Sequence, residues 1–90
     1  VILLDKKLRK ELRGTAQSIS PTVHVGKDGV TDEVAREVYK QLERSRLVKV
    51  RLLPSFEADR KVVADELATR SSSALVEVRG RTVVLFRERE

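Results

Sequence analysis

Apolar positions recur along the chain with two different spacings. Leu4, Leu8, Leu12 and Ala16 return every four residues. This predicts a helix over Asp5 to Gln17 with one narrow apolar stripe and Asp5 as its cap. Gly14 is expected to weaken the last turn or end the helix early. From Thr22 to Val25 the spacing becomes two, with Val23 and Val25 on one side and His24 on the other, as in a short strand. The four-residue step resumes from Thr31 to Arg46, where Val34, Val38 and Leu42 define a second helix. Ala35 and Tyr39 widen its apolar arc. Leu47 to Leu53 alternates again, with Val48, Val50 and Leu52 against Lys49 and Arg51, until Pro54 stops it. A third helix, capped by Ser55 or Asp59, runs to about Arg70 and buries Val63, Ala64, Leu67 and Ala68. Ser71-Ser72-Ser73 reads as a polar turn. Ala74 to Arg79, Gly80-Arg81 and Thr82 to Arg87 read as strand, two-residue turn and strand, which is a hairpin.

The predicted order is α-β-α-β-α-β-β. Two strand-helix-strand crossovers make the first three strands parallel, and the hairpin adds the fourth antiparallel. Thr82-Val83-Val84-Leu85-Phe86 does not alternate, so that strand is expected to be covered on both faces, between strands two and three. The fold class is α/β: a two-layer-type domain with a mixed four-stranded sheet, the first helix covering part of it. Residues 1–90 are read as a single domain without repeats or linkers.

Charge narrows the partners. Nineteen Lys and Arg against fourteen Asp and Glu leave a net +5 and a pI near 10. A chain of that balance suits nucleic acid or an anionic surface. There is no cysteine, hence no disulfide framework and no thiolate metal site. The apolar run Val1 to Leu4 is too short for a signal-peptide core or a membrane span. No methionine is present, which is expected of a removed initiator or of a fragment. Tyr39, Phe56 and Phe86 are the only aromatics, too few for a base-stacking platform. Any RNA contact is therefore expected to rest on backbone and shape, with folded RNA preferred over single strands.

Two places concentrate the chemistry. Gly26-Lys27-Asp28-Gly29 forms a tight turn between the first strand and second helix, and Thr31 follows as a helix cap. A helix beginning there aims free N–H groups and a positive dipole end over the loop, an arrangement suited to phosphate. On the first helix, Lys6, Arg9, Lys10 and Arg13 fall opposite the leucine stripe and make a nearly all-positive ridge. His24 reads as a surface strand residue two positions from Gly26 and is a weaker candidate contact, as are Arg36 and Lys40 of the second helix. Glu33–Arg36 and Glu37–Lys40 are spaced to support that helix as ion pairs. The P-loop spacing is missing, and neither a metal cluster nor a nucleophile–base pair can be read, so no catalytic residue, metal or cofactor is expected.

These features in this order resemble the CRM domain (chloroplast RNA splicing and ribosome maturation) in its stand-alone, YhbY-like form. The resemblance runs from about Leu8 to Arg87. It rests on Leu12-Arg13-Gly14, the run Pro21-Thr22-Val23-His24-Val25-Gly26-Lys27-Asp28-Gly29-Val30-Thr31, Leu47-Val48-Lys49-Val50, and Val78-Arg79-Gly80 followed by Val83-Val84-Leu85-Phe86-Arg87. It implies a fold similar to the C-terminal domain of bacterial translation initiation factor three, and an RNA-contacting loop at Gly26, Lys27, Asp28 and Gly29. KH domains also carry a G-x-x-G loop, but between two helices; here it follows a strand. Three features depart from the family pattern: Ser71-Ser72-Ser73 where a Thr-Gly turn is common, Phe86 where Tyr is common, and a tail reduced to Arg87-Glu88-Arg89-Glu90.

Single-domain members of the family are associated with precursors of the large ribosomal subunit, and plant multi-copy members with intron splicing. The resemblance therefore implies a non-catalytic RNA-binding protein acting on structured ribosomal RNA or the pre-ribosomal large subunit. It is expected to be monomeric and cytoplasmic, with no membrane or small-molecule partner. The alternative is a protein–protein interaction or adaptor domain in a ribonucleoprotein, its charge serving solubility.

Overall fold

The computed structural model describes residues 4–88. Val1, Ile2 and Leu3 of the leading apolar run, and Arg89 and Glu90 of the tail, lie outside them. The elements are α1 (Lys6–Ala16), β1 (Val23–Val25), α2 (Asp32–Ser45), β2 (Leu47–Leu52), α3 (Arg60–Arg70), β3 (Ala74–Arg79) and β4 (Thr82–Phe86). The sheet order is β1-β2-β4-β3. β1 and β2 are parallel, and β4 runs antiparallel to both β2 and β3. β3 therefore points the same way as β1 and β2, and β4 takes the interior place its unbroken apolar run predicted.

Each helix begins where a side-chain oxygen can replace a missing backbone partner. Asp5 accepts from the Leu8 N–H, Thr31 from Val34, and Asp59 from Lys61 and Val62. Asp59, and not Ser55, is thus the cap of α3. Gly14 does not end α1, which continues to Ala16. Packing of Leu8, Leu12 and Ala16 on the sheet outweighs the helix cost of one glycine, about 1 kcal/mol.

The sheet is clothed unequally. On one face α2 and α3 close the main core, where Val25, Val38, Leu42, Val50, Leu52, Ala64, Leu67, Val83 and Leu85 are all essentially inaccessible to water. On the other face α1 lays Leu4, Leu8, Leu12 and Ala16 against Leu47, Val76, Val84 and Phe86. It covers only one end of that face. A bulge in β3 between Leu75 and Glu77 interrupts the pairing with β4.

Three expectations change in the folded chain. Tyr39 is 38% exposed and does not join the apolar arc of α2; its ring lies beneath the Arg87 guanidinium, 4.0 Å from the centroid. The Ser71–Ser73 turn is not simply a polar surface loop, because Ser71 and Ser73 are 0% and 4% exposed. They satisfy each other at 2.8 Å, and Ser71 also donates to the Leu67 carbonyl. The expected Glu33–Arg36 and Glu37–Lys40 pairs do not form; Glu37 instead accepts from the Gln41 amide at 2.9 Å.

Candidate nucleic-acid interface

The parallel strands β1 and β2 end side by side, and three connections gather beyond that end: the glycine loop, the β2–α3 loop and the β3–β4 turn. Backbone bonds tie them together. The Leu53 N–H donates to the Val25 carbonyl at 2.8 Å, and the Leu52 N–H to Arg81 at 2.7 Å. The Arg81 guanidinium then spans three carbonyls, those of Leu52, Leu53 and Phe56, at 2.6–3.0 Å. Arg81 is therefore a clasp on the β2–α3 loop, with three of its five donors engaged.

The two loop glycines have separate local reasons. A Cβ on Gly26 would meet the Ser55 hydroxyl at 3.3 Å and Leu53 at 3.7 Å, so this position serves close approach between two loops. Gly29 has open space around it but a φ of +68°, the left-handed region in which a side chain is strained. Its N–H closes the turn on the Gly26 carbonyl at 3.1 Å, leaving Lys27 and Asp28 exposed at the tip. Val30 packs against the main core. Arg70 holds the exit of the loop, donating to the Val30 carbonyl at 2.5 Å and pairing with Asp32.

The electrostatics of the loop differ from a bare helix terminus. The Thr31 hydroxyl oxygen is occupied by the Val34 N–H at 3.1 Å, and Asp32 and Glu33 sit in the first turn of α2. These carboxylates already complement the helix dipole. Lys27 is the single cation at the tip, beside the carboxylate of Asp28. Gly26, Gly29 and Thr31 shape the loop, and net positive charge must come from neighbouring elements.

On α1, Lys6, Lys10 and Arg13 are exposed and unpaired among the described residues. Arg9 is not part of that free ridge: it is half-buried and its Nη1 donates to the Val76 carbonyl at the β3 bulge, 3.1 Å away. His24 is exposed on the face of the sheet that α1 partly covers. Arg36 and Lys40 are exposed on α2, in the opposite layer, so the fold does not bring them to α1.

Beyond α1, the same sheet face carries Arg51 and Arg79, two exposed cations that a reading by loop and helix passes over. The alternation of β2 already turned Lys49 and Arg51 away from the core; only the cross-strand register reveals what lies beside them. Lys49 itself is occupied, its ammonium donating to the Ala16 carbonyl at the end of α1, 3.1 Å away. Among the described residues no three His, Cys, Asp or Glu side chains gather as a metal site, and no helix is long and apolar enough to cross a membrane.

The fold is a one-sheet α/β domain with a braced glycine loop and unpaired cations on its less covered side. The comparison with known proteins gives the class a family: residues 4–87 match the CRS1 / YhbY (CRM) domain, and the chain belongs to that family. It is 37% identical over 86 residues to a Bacillus subtilis protein named "Probable RNA-binding protein YqeI", covering 96% of this chain and 90% of that one. It is 35% identical over 89 residues to MJ0652 of Methanocaldococcus jannaschii, which carries the same designation, covering 97% of this chain and 66% of the other. The solution structure of the hypothetical protein SAV1595 from Staphylococcus aureus superposes with a TM-score of 0.84 at 32% identity, over 98% of this chain and 92% of that one. The mixed four-stranded sheet with three helices is thus the fold of a solved relative.

Proposed function

We propose that this chain is a non-catalytic RNA-binding protein that grips the phosphate backbone of structured RNA with Lys27 at the glycine loop and with Lys6, Lys10 and Arg13 of α1. The observation that carries the reading is the set of exposed, unpaired cations on α1 and at the tip of the glycine loop, in a chain whose relatives are named for RNA binding. A solvent face evolved for solubility mixes signs; on α1 the one acid, Glu11, lies on the flank of the ridge, with Asp5 at the cap. Scarce aromatics favour contacts to backbone and shape over stacked single-stranded bases. Within this reading the RNA is ribosomal, the occasion is assembly of the large subunit, and the protein acts as a monomer in the cytoplasm without cofactor or membrane partner.

The adaptor reading draws on exposed apolar side chains, and among the described residues the large ones are Val62, 63% exposed, and Tyr39. They lie on different helices, and Tyr39 already carries Arg87, so the cationic face is the better-supported surface.

Affinity for a folded ribosomal RNA fragment, measured across a salt series, tests the proposal. Wild-type binding is expected to weaken steeply with salt. Lys27→Ala and a combined Lys6→Ala, Lys10→Ala and Arg13→Ala variant are each expected to bind more weakly, with the slope of log affinity against log salt reduced by about 1 per phosphate contact removed. Arg9 is left intact because its loss would disturb α1. Wild-type affinity that is absent or independent of salt would overturn the reading.

A further inference from the structure

The end of the sheet that α1 leaves open carries one residue from each strand in a single row. His24 pairs with Arg51, Arg51 with Thr82, and Thr82 with Arg79. All four lie on the α1 side: His24 alternates with buried Val23 and Val25, Arg51 with buried Val50 and Leu52, and Thr82 precedes Val83, which faces the main core. With strands about 4.8 Å apart, the row spans about 14 Å. It begins two residues from Gly26 and ends at the β3–β4 turn.

Its charge is one-sided. The side chains of His24, Arg51 and Arg79 make no hydrogen bond or ion pair among the described residues. The next row inward, Lys49, Val84 and Glu77, has one cation and one anion, and its lysine is bound to the end of α1. In the outer row two guanidinium groups flank Thr82 with no acid between them. Arg51 and Arg79 stand two strands apart, about 10 Å, so their repulsion is modest, but no acid within the row offsets it. A polyanion laid along the row removes that repulsion.

We infer that the open half of this sheet face is a phosphate track: Arg51 and Arg79 hold the phosphodiester backbone of RNA, Thr82 offers its hydroxyl between them, and His24 leads the strand to Lys27. The track rests on the RNA-binding reading above and extends it by joining the glycine loop and α1 across the sheet into one surface. Arginine suits the role because its planar fork engages phosphate through two donors at once.

The test compares wild type, Arg51→Gln/Arg79→Gln, Arg51→Lys/Arg79→Lys and Lys27→Ala on one folded RNA fragment over a salt series, with thermal melts to show that each variant folds. The double Gln variant is expected to bind about tenfold more weakly at intermediate salt, with a slope lower by about 2, and the double Lys variant to keep most of the slope. In parallel, adding RNA to labelled wild-type protein is expected to shift the amide signals of His24, Arg51, Arg79 and Thr82, which needs no variant to fold. If Lys27→Ala weakens binding while the double Gln variant matches wild type, and the amide shifts stay within the glycine loop and α1, the track is wrong and the RNA-binding reading stands. If wild type shows no salt-sensitive binding, both fall.

Discussion

The two faces of the sheet obey different rules. Under α2 and α3 every inward position is apolar, and the sealing extends to a serine turn whose two buried hydroxyls satisfy each other. Under α1 the apolar contact stops partway along the strands, and the outermost row there holds His24, Arg51, Thr82 and Arg79 with no carboxylate. Burial on the first face is sufficient to hold the fold. The second face can then leave Arg51 and Arg79 exposed without a carboxylate partner.

The largest effect that could break this contrast comes from matched truncations. Leu67→Ala, at the fully buried face of α3, is expected to destabilise by about 3 kcal/mol, while Leu8→Ala on the half-buried stripe of α1 costs about 1–2 kcal/mol. Denaturant midpoints measure both; equal losses would mean that the α1 side is as much a core as the other. Next in size, Arg81→Ala removes three hydrogen bonds between the hairpin and the β2–α3 loop and is expected to cost about 1–2 kcal/mol. Faster amide exchange at Phe56 should accompany it, since that N–H closes the loop on the Leu53 carbonyl. Unchanged exchange would show that the loops gathered beside the open face are braced by something other than Arg81.

The smallest effect runs the other way. Ser72 stands at φ +55°, between the two buried serines, with its own side chain exposed. Ser72→Gly is expected to stabilise by a few tenths to about 1 kcal/mol, because left-handed backbone strains a side chain and glycine relieves it. A small rise in melting temperature supports this. A fall would locate a contribution of the Ser72 side chain to the sealed face.

Much of this architecture was legible from spacing alone. Apolar spacing and turn signals located both ends of six elements within a residue, while the start of α3 stayed open between a Ser55 and an Asp59 cap. The unbroken run Val83-Val84-Leu85-Phe86 announced an interior strand, because only a strand covered on both faces can afford no polar side. The caps Asp5 and Thr31 followed from local chemistry, since a cap needs only an oxygen three residues ahead of a free N–H. Candidate residues were legible as types and less so as roles. Lys27 is exposed as expected, but Arg9, indistinguishable in sequence from its neighbours on the ridge, is turned onto the Val76 carbonyl by a bulge in a strand sixty-seven residues away.

Local periodicity and hydrogen-bonding chemistry thus determined the elements, their order and the surplus of positive charge, because each depends on residues a few positions apart. Which cations stay free was decided only when the chain closed. The register that sets His24, Arg51, Thr82 and Arg79 in one row joins β1 and β2 to a hairpin far along the chain, and the placement of α1 determines which end of that face stays open. Both follow from pairing and packing across the whole chain, which no short window of sequence contains.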